Sequence, residues 1–398
     1  MIINFLIIIQ VLNMLEILKN KDGCIGCGAC EVVCPRHCIS LEEEIAGFLY
    51  PTVNEENCIR CGKCSKVCVV CAERENFDIK DYINYFAAWA KEPYMDAKAT
   101  SGGIATLLAK QFIKTGFVAG CVLGENFDVE HKIAYEAEEI SKFTGSKYVQ
   151  SRTGEVFESI KLNLEKGKKV LFIGTPCQVA AVKKCVGKNY DSKLYTVDFF
   201  CHGVPSPRAW KKYVNYLEGK RHSKLVDYNF RTKKNGWGGL YRTAYWDNGK
   251  EETVNGWACA FHGWFGKHLS LRDSCFHCKY RTEMRESDIT IADFWGISKY
   301  YPDVKTSQGV SAVILSSEKG RELFENLVSD DQIEYIKVSR DSIWKDRKTV
   351  FENFEIPSER NRFLEDVDKL NPRDLVKKYP PQKLSDHIMK KLKNIIRR

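Results

Sequence analysis

The residues best equipped for chemistry are cysteines. Of the seventeen in this 398-residue chain, ten fall between Cys24 and Cys71. The stretches CIGCGACEVVCP, from Cys24, and CIRCGKCSKVCV, from Cys58, are two copies of one pattern, Cys-x-x-Cys-x-x-Cys-x-x-x-Cys. Three thiolates on one tight, glycine-bearing loop clasp three corners of an iron–sulfur cubane, and the fourth cysteine reaches across to the other cluster. The pattern assigns Cys24, Cys27, Cys30 and Cys68 to one 4Fe-4S cluster, and Cys58, Cys61, Cys64 and Cys34 to a second. Pro35 follows Cys34, but Val69 follows Cys68 where a second proline is expected. That departure makes Cys71 an alternative ligand, at the wrong spacing from Cys64. Cys38 and Cys71 read better as small buried hydrophobes beside the clusters.

A further Cys-x-x-Cys, in DSCFHCKY, looks half-built. Cys275 and Cys278 give two sulfur ligands where a tetrahedral zinc or a cubane wants four. Cys177 and Cys201 are the candidates to complete it, because each directly follows an apolar run that reads as a buried strand, VLFIGTPC and LYTVDFFC. In a parallel sheet both strand ends emerge on the edge where open α/β sheets place their ligands. A third 4Fe-4S cluster is the favoured occupant, and zinc with His202 or His277 is the rival. Cys121 reads as core, Cys185 as the end of a helix, and Cys259 is ambiguous.

The elements that must hold these residues divide the chain in three. Residues 20–75, dense in Cys and Gly, cannot bury much core and must be held by metal. AERENFDIK then reads as a polar linker. From residue 82 to about 310 the texture is α/β. GFVAGCVLG, KKVLFIGTP and KLYTVDFFC read as buried strands, and GGIATLLAKQFIKTG and PCQVAAVKKCVG as helices that follow turns. Residues 311–398 read as mostly helical with a basic tail. The expected fold class is α+β and α/β: a small two-cluster ferredoxin domain, a larger α/β domain and a helical C-terminal region.

Charge excludes one class of function. The net charge is +9, but the stretch from Val376 to Arg398 carries +7 of it. The body is no basic nucleic-acid platform. In the tail, Leu384, Ile388, Met389, Leu392, Ile395 and Ile396 recur at helical spacing, as in a helix packed on its own domain or lying on an anionic membrane. The apolar start, MIINFLIIIQVLNMLEIL, is broken by Asn4, Gln10 and Asn13 and has no positive leader. It reads as an over-extended frame with Met14 the true start, and membrane anchoring is the lesser reading. Cysteines at metal spacing indicate reduced thiolates in a reducing compartment, so the expected location is cytoplasmic.

The first segment resembles a two-cluster bacterial-type ferredoxin domain. Beyond it, TSGGIATLLAKQFIKTG, GSKYVQS, GTPCQVAAVKK, CHGVPSP and CFHCKYRTEMRESDITIADFWG follow one another between about residues 85 and 310. In that order they resemble the motifs of the coenzyme F-420 hydrogenase/dehydrogenase beta-subunit family. The resemblance implies FAD and usually a 4Fe-4S cluster, with hydride moving between flavin and a deazaflavin or another organic substrate. No GxGxxG fingerprint is present, so the anion site implied is TSGG. There Thr100 or Ser101 caps the following helix, and Gly102 and Gly103 let backbone N–H groups approach a pyrophosphate. An ordinary helix start has the same look. Ser146, Lys147 and Tyr148 of GSKYVQS offer phosphate binding and stacking, or form a plain surface turn. Thr175 and Gln178 flank Cys177 and are placed to bridge cluster and flavin. Asp293 ends a short strand, to orient a cofactor or to cap a turn.

No nucleophile–base pair stands out, and hydride transfer needs none, since the cofactor carries the hard chemistry. The expected protein is a flavin-dependent iron–sulfur oxidoreductase with an organic hydride donor or acceptor and a redox partner protein. The other reading is an electron-transfer subunit with no substrate site of its own.

Overall fold

The computed structural model describes residues 21, 23–71, 83–304, 307–345, 347 and 351–381. The apolar start, the linker AERENFDIK and the tail from residue 382 lie outside the described residues. No helix among the described residues is long and apolar enough to cross a membrane.

The cysteine repeat folds as a repeat. Two one-turn helices, Ala29–Val32 and Lys63–Val67, each start at a glycine in the left-handed region, Gly28 at φ 75° and Gly62 at φ 71°. Only glycine reaches that backbone region without steric cost. Between the helices lies an antiparallel hairpin of β1 (Ile39–Glu43) and β2 (Leu49–Val53).

The rest of the chain is built on an eight-stranded sheet. Its strands are β3 (Asn84–Ala90), β4 (Phe117–Leu123), β5 (Val129–Ala134), β6 (Val170–Gly174) and β7 (Leu194–Phe199), then, after a separate small sheet, β11 (Ile289–Asp293), β12 (Ser311–Leu315) and β13 (Ile333–Lys337). The small sheet holds β8 (Leu225–Thr232), β9 (Tyr241–Trp246) and β10 (Glu251–Asn255), all antiparallel. In the large sheet the order is β13-β3-β12-β11-β7-β6-β4-β5. The four central strands β11, β7, β6 and β4 run parallel, and the flanking pairings are antiparallel. Parallel strands are covered on both faces and so read as unbroken apolar runs. Alternation sorts the two faces. Val118, Leu171 and Tyr195 face the helices Ile104–Phe112 and Glu318–Ser329, whereas Ala119, Val170, Phe172 and Leu194 face Gly154–Glu165 and Pro176–Val186.

Two expectations need correction. The segment after residue 310, read as mostly helical, holds helices but also feeds the sheet: β12 inserts between β11 and β3, and β13 pairs with the other edge of β3. SAVIL is five residues buried throughout, a pattern that strand and buried helix share. Nor do Thr100 or Ser101 cap the helix Ile104–Phe112. Gly103 holds the cap position at φ 82° with no side-chain cap bond.

Candidate metal and cofactor site

β6 and β7 are parallel neighbours, so their carboxyl ends open on one edge, and β11 ends there too at Asp293. Thr175 caps the helix that follows β6, with Pro176 at its first position, and Cys177 comes next. Cys201 lies just past β7. The strand-like segment after it brings in the last two thiols: Ser206 N donates to Ser270 O at 2.7 Å, and Arg272 N donates to Val204 O at 3.0 Å. This pairing sets the Cys275 turn beside Cys201. Gly203, at φ 131°, makes room, since a Cβ there would stand 3.3 Å from Cys275 Cβ and 3.1 Å from the Leu271 methyls.

Cys177, Cys201, Cys275 and Cys278 are therefore within electrostatic reach of one another. Burial, then the charges of Cys278 and Cys201, push the Cys177 thiol well up. Burial and Cys275 push Cys201 up to about 12, and burial pushes Cys275 up to about 11. Thiols so dehydrated ionise only when a cation takes the proton's place. A donor already points at one sulfur, Val204 N at 3.4 Å from Cys275 Sγ, and the Thr175 hydroxyl lies 3.2 Å from Cys177 Sγ. The Arg281 guanidinium adds positive charge beside Cys201, Cys278 and Cys275 while donating to His202 O at 2.6 Å. Among the described residues no three Cys, His, Asp or Glu side chains close around a single ion. A cubane binds each thiolate at a different corner, so its ligands need not crowd one centre. These residues fit a cluster.

In the N-terminal segment, one cleft is lined by Cys34, Cys58, Cys61 and Cys64, with Cys38 alongside. Burial pushes Cys30 up, helped by the charges of Cys27, Cys24, Cys68 and Cys64, so the crossover thiol Cys68 lies with the first loop. Four thiols gather in each place, which fits two cubanes. Each crossover thiol also has a companion. Cys34 Sγ is 3.4 Å from Cys38 Sγ, and hydrogen bonding from Cys71 holds the Cys68 thiol down to about 6.

The first loop is fastened to the sheet domain. Arg272, fully buried, donates to Cys24 O at 2.6 Å, to Leu49 O at 2.8 Å and to Gln150 Oε1 at 3.1 Å. Gln150 Nε2 donates to Ile25 O at 2.9 Å, and Thr153 Oγ1 to Cys27 O at 2.7 Å. Lys279 Nζ, next to Cys278, donates to Val70 O at 2.6 Å. The loop of Cys24, Cys27 and Cys30 thus lies against the segments that carry the sheet thiols.

The residues expected around a flavin divide. Ser101 Oγ donates to Val310 O at 3.0 Å, and Gly102 N to Ser311 Oγ at 3.1 Å. Thr100 Oγ1 pairs with Ser146 Oγ at 3.1 Å. Lys147 Nζ donates to the carbonyls of Lys142, Phe143 and Thr144 at 3.0, 3.0 and 3.1 Å, and burial lowers its pKa to about 8. Tyr148 packs on Phe265 with centroids 5.6 Å apart. Thr175 and Gln178 form a reciprocal cap, and Gln178 Nε2 donates to Ser151 Oγ at 2.9 Å. Asp293 accepts from Trp237 Nε1 at 3.1 Å and pairs with Arg231.

Several residues at this edge carry no sequence signature. Arg231 is 3% exposed, and its Nε and Nη2 find no hydrogen-bond partner of good geometry among the described residues. Its guanidinium lies 4.7 Å over the Trp295 ring, which stacks on Trp237 at 4.4 Å and 12°. Lys233 Nζ donates to Ser101 O at 3.1 Å and to Gln308 O at 2.8 Å, tying the TSGG loop to the same corner. The faint clue was basic: Arg231 and Lys233 stand in NFRTKK, and Arg272 and Arg281 flank the Cys275–Cys278 pair.

Comparison with known proteins bears on the family. Residues 23–72 match the family model of the 4Fe-4S dicluster domain. Residues 85–158 match that of the N-terminal part of the coenzyme F420 hydrogenase/dehydrogenase beta chain, and residues 167–341 that of its C-terminal part. A curated relative, one of the subunits of the F(420)H(2) dehydrogenase of Methanosarcina mazei, is 25% identical over 194 residues, which are 46% of this chain and 53% of that protein. The match therefore spans about half the length of that relative. A solved chain from the xenon-derivatized F420-reducing nickel–iron hydrogenase complex of Methanosarcina barkeri covers 74% of this chain and 91% of its own at 19% identity, with a TM-score of 0.44. With both parts of one family and a dicluster segment in order along one chain, the protein belongs to the coenzyme F420 hydrogenase/dehydrogenase beta-subunit family and carries an N-terminal 4Fe-4S dicluster domain.

Proposed function

We propose that the protein is an iron–sulfur flavoprotein oxidoreductase that exchanges hydride with coenzyme F-420 or another organic molecule and single electrons with a redox partner. The observation that carries this reading is the gathering of Cys177, Cys201, Cys275 and Cys278 at one edge, between Asp293 on one side and the Cys24–Cys30 loop on the other. Those four thiols hold a third 4Fe-4S cluster. The dicluster ligands are Cys24, Cys27, Cys30 and Cys68, and Cys34, Cys58, Cys61 and Cys64. FAD lies at the corner formed by Thr100, Ser101, Gly102, Gly103, Ser146, Tyr148, Thr175, Gln178 and Asp293. A bound flavin supplies the exchange between hydride and single electrons, and the clusters supply one-electron carriage.

The chain's own residues do the positioning. Thr175 orients the Cys177 sulfur, and Arg281 offsets charge on the sheet thiolates. Arg231 and Asp293 fix the polar corner, where the buried guanidinium, already beside Asp293 and Tyr148, suits an anionic or carbonyl group. The rotor freedom of these groups is already spent on the protein, so binding them costs little further order.

A second reading is a pure electron-transfer subunit. It is favoured by Lys147 and Gly102, whose donors are already taken by Lys142, Phe143, Thr144 and Ser311. Anaerobic purification with iron, sulfide, zinc and flavin assays decides. The proposal expects about twelve iron atoms, four per cubane, with FAD. Iron without flavin supports the second reading, and stoichiometric zinc with about eight irons rejects the third cluster.

A further inference from the structure

The two metal sites of the dicluster segment differ in what covers them. The loop of Cys24, Cys27 and Cys30 is clamped by Arg272, Gln150 and Thr153. The cleft lined by Cys34, Cys58, Cys61 and Cys64 opens outward, and Cys61 is an exposed thiol. Ile59 beside it is 61% exposed, the most exposed large apolar side chain among the described residues. The charged side chains that line this cleft are Arg36, Arg60 and Lys63, all cationic and all exposed. None of the three makes an ion pair or hydrogen bond among the described residues, although ion pairs are common elsewhere on the surface.

An exposed apolar residue ringed by unpaired charge of one sign has the form of a transient docking patch. Redox encounters use small interfaces, and rim charges there set the rate and partner choice more than the affinity. We infer that this face docks a one-electron redox protein whose own centre is ringed by carboxylates, with Ile59 at the contact centre and Arg36, Arg60 and Lys63 steering the approach. Electrons cross at this outer site. The sheet thiols, behind Arg272 and Arg281, serve transfer within the chain. The step is the transfer of one electron: the reduced outer cluster is oxidised by one electron, the acceptor is reduced by one, and no bond forms or breaks. The inference rests on the proposed ligand set of that cluster.

The test uses the full chain, reduced with stoichiometric dithionite and mixed in stopped flow with oxidised flavodoxin, an acidic one-electron carrier, or with cytochrome c, a basic one. With flavodoxin the second-order rate constant should fall as salt rises, because screening weakens steering. Arg60→Glu with Lys63→Glu should slow flavodoxin reduction by at least about tenfold and flatten its salt dependence, while cytochrome c reduction speeds up. Ile59→Ser should slow both. Paramagnetic resonance of the reduced variants checks that both dicluster signals persist. Unchanged rates and salt dependence with the signals intact would overturn the docking face. In the unmodified chain, a flavodoxin rate that does not fall with salt overturns it as well. If no dicluster signal is seen even there, the ligand assignment fails instead.

Discussion

The dicluster segment and the sheet edge gather sulfur by opposite routes. In the first, ligands sit three or four residues apart on loops shaped by Gly28 and Gly62, and the loops have no core of their own: Ala29, Val67 and Val69 are buried against the helices of the sheet domain. In the second, Cys177, Cys201 and the Cys275–Cys278 pair come from three separate segments and meet because β6 and β7 run parallel and the 202–206 segment pairs with 269–272. A local site without a core of its own relies on its metal and on its contacts with the sheet domain to offset the ordering of its loops. A non-local site is held open by the scaffold. Its four thiols remain together whether or not a metal neutralises them.

The sharpest way to break this contrast is to remove one ligand from each. Cys201→Ala should lower iron from about twelve to about eight, four per cubane, and leave the fold and both dicluster signals intact. Cys64→Ala should also cost about four irons, but its segment should become protease-sensitive. If Cys201→Ala unfolds the chain while Cys64→Ala does not, the contrast is inverted. If Cys177→Ala and Cys201→Ala both keep full iron, the four-thiol site is wrong.

Arg272 links the two regions, and its loss ranks next. It is fully buried, donates to two carbonyls and a side-chain amide oxygen, and lies 4.2 Å over the Tyr50 ring. Arg272→Ala strands those acceptors, at about 3 kcal/mol. Hydrogen exchange in residues 24–30 should accelerate about a hundredfold in the opening-limited regime. Exchange in β6 and β7 should stay as it was. Equal acceleration in both regions would mean that they unfold as one unit.

The same contrast explains what could be read from the sequence. The dicluster ligands were legible because the information is local: spacing alone fixes which sulfurs share a loop. The sheet site was half legible. VLFIGTPC and LYTVDFFC announce buried strands, and their parallel pairing is a short step from there. β12 and β13 were not legible, since SAVIL and IEYIK are too short for periodicity to separate strand from helix and their partners lie far back in β3. Lys147 misled for another reason. A lysine in a glycine turn suggests phosphate, but here it closes the open carbonyls at the end of the Ala137–Phe143 helical segment. Arg231 carries no motif, because a buried arginine is defined by the acid it meets, Asp293, and not by its neighbours in sequence.

Acid should strike the sheet through a group that no cluster uses. Burial lowers His131 to about 4, outweighing its bond to Ile173 O at 3.0 Å. The unfolded chain protonates this ring near 6.5 and the folded chain only near 4, so its neutral form stabilises the fold above 6.5. That contribution is lost as pH falls from 6.5 towards 4, by about 2 kcal/mol at pH 5. In His131→Gln, protection of β4 and β5 should change less between pH 7 and pH 5 by that amount. An undiminished loss in the variant would place the acid sensitivity elsewhere.

The smallest expected effect separates the two kinds of site most finely. The sheet sulfurs meet a hydroxyl, Thr175 beside Cys177, and a backbone amide, Val204 donating to Cys275. Donors on the crossover sulfurs of the dicluster include spare thiols, Cys38 on Cys34 and Cys71 on Cys68. The proton preference within each pair has one sense. Burial works against Cys34, yet backbone donors from Cys38 and Arg36 and the Cys38 thiol bring it down, while Cys38 is pushed up by burial and by Cys34. Cys68 is brought down by Cys71, and Cys71 is pushed up by Cys68. With a cluster thiolate at Cys34 or Cys68, the neighbouring Cys38 or Cys71 thiol would be placed to donate to it. A hydrogen bond to cluster sulfur favours the reduced, more electron-rich state. Cys38→Ala and Cys71→Ala should each keep about twelve irons, four per cubane, while shifting one dicluster potential negative. At about 1 kcal/mol per bond the shift is about 40 mV for one electron. Serine at either position should restore part of the shift, which a packing defect would not allow. Loss of about four irons in Cys71→Ala would instead make Cys71 the ligand that Cys68 is proposed to be.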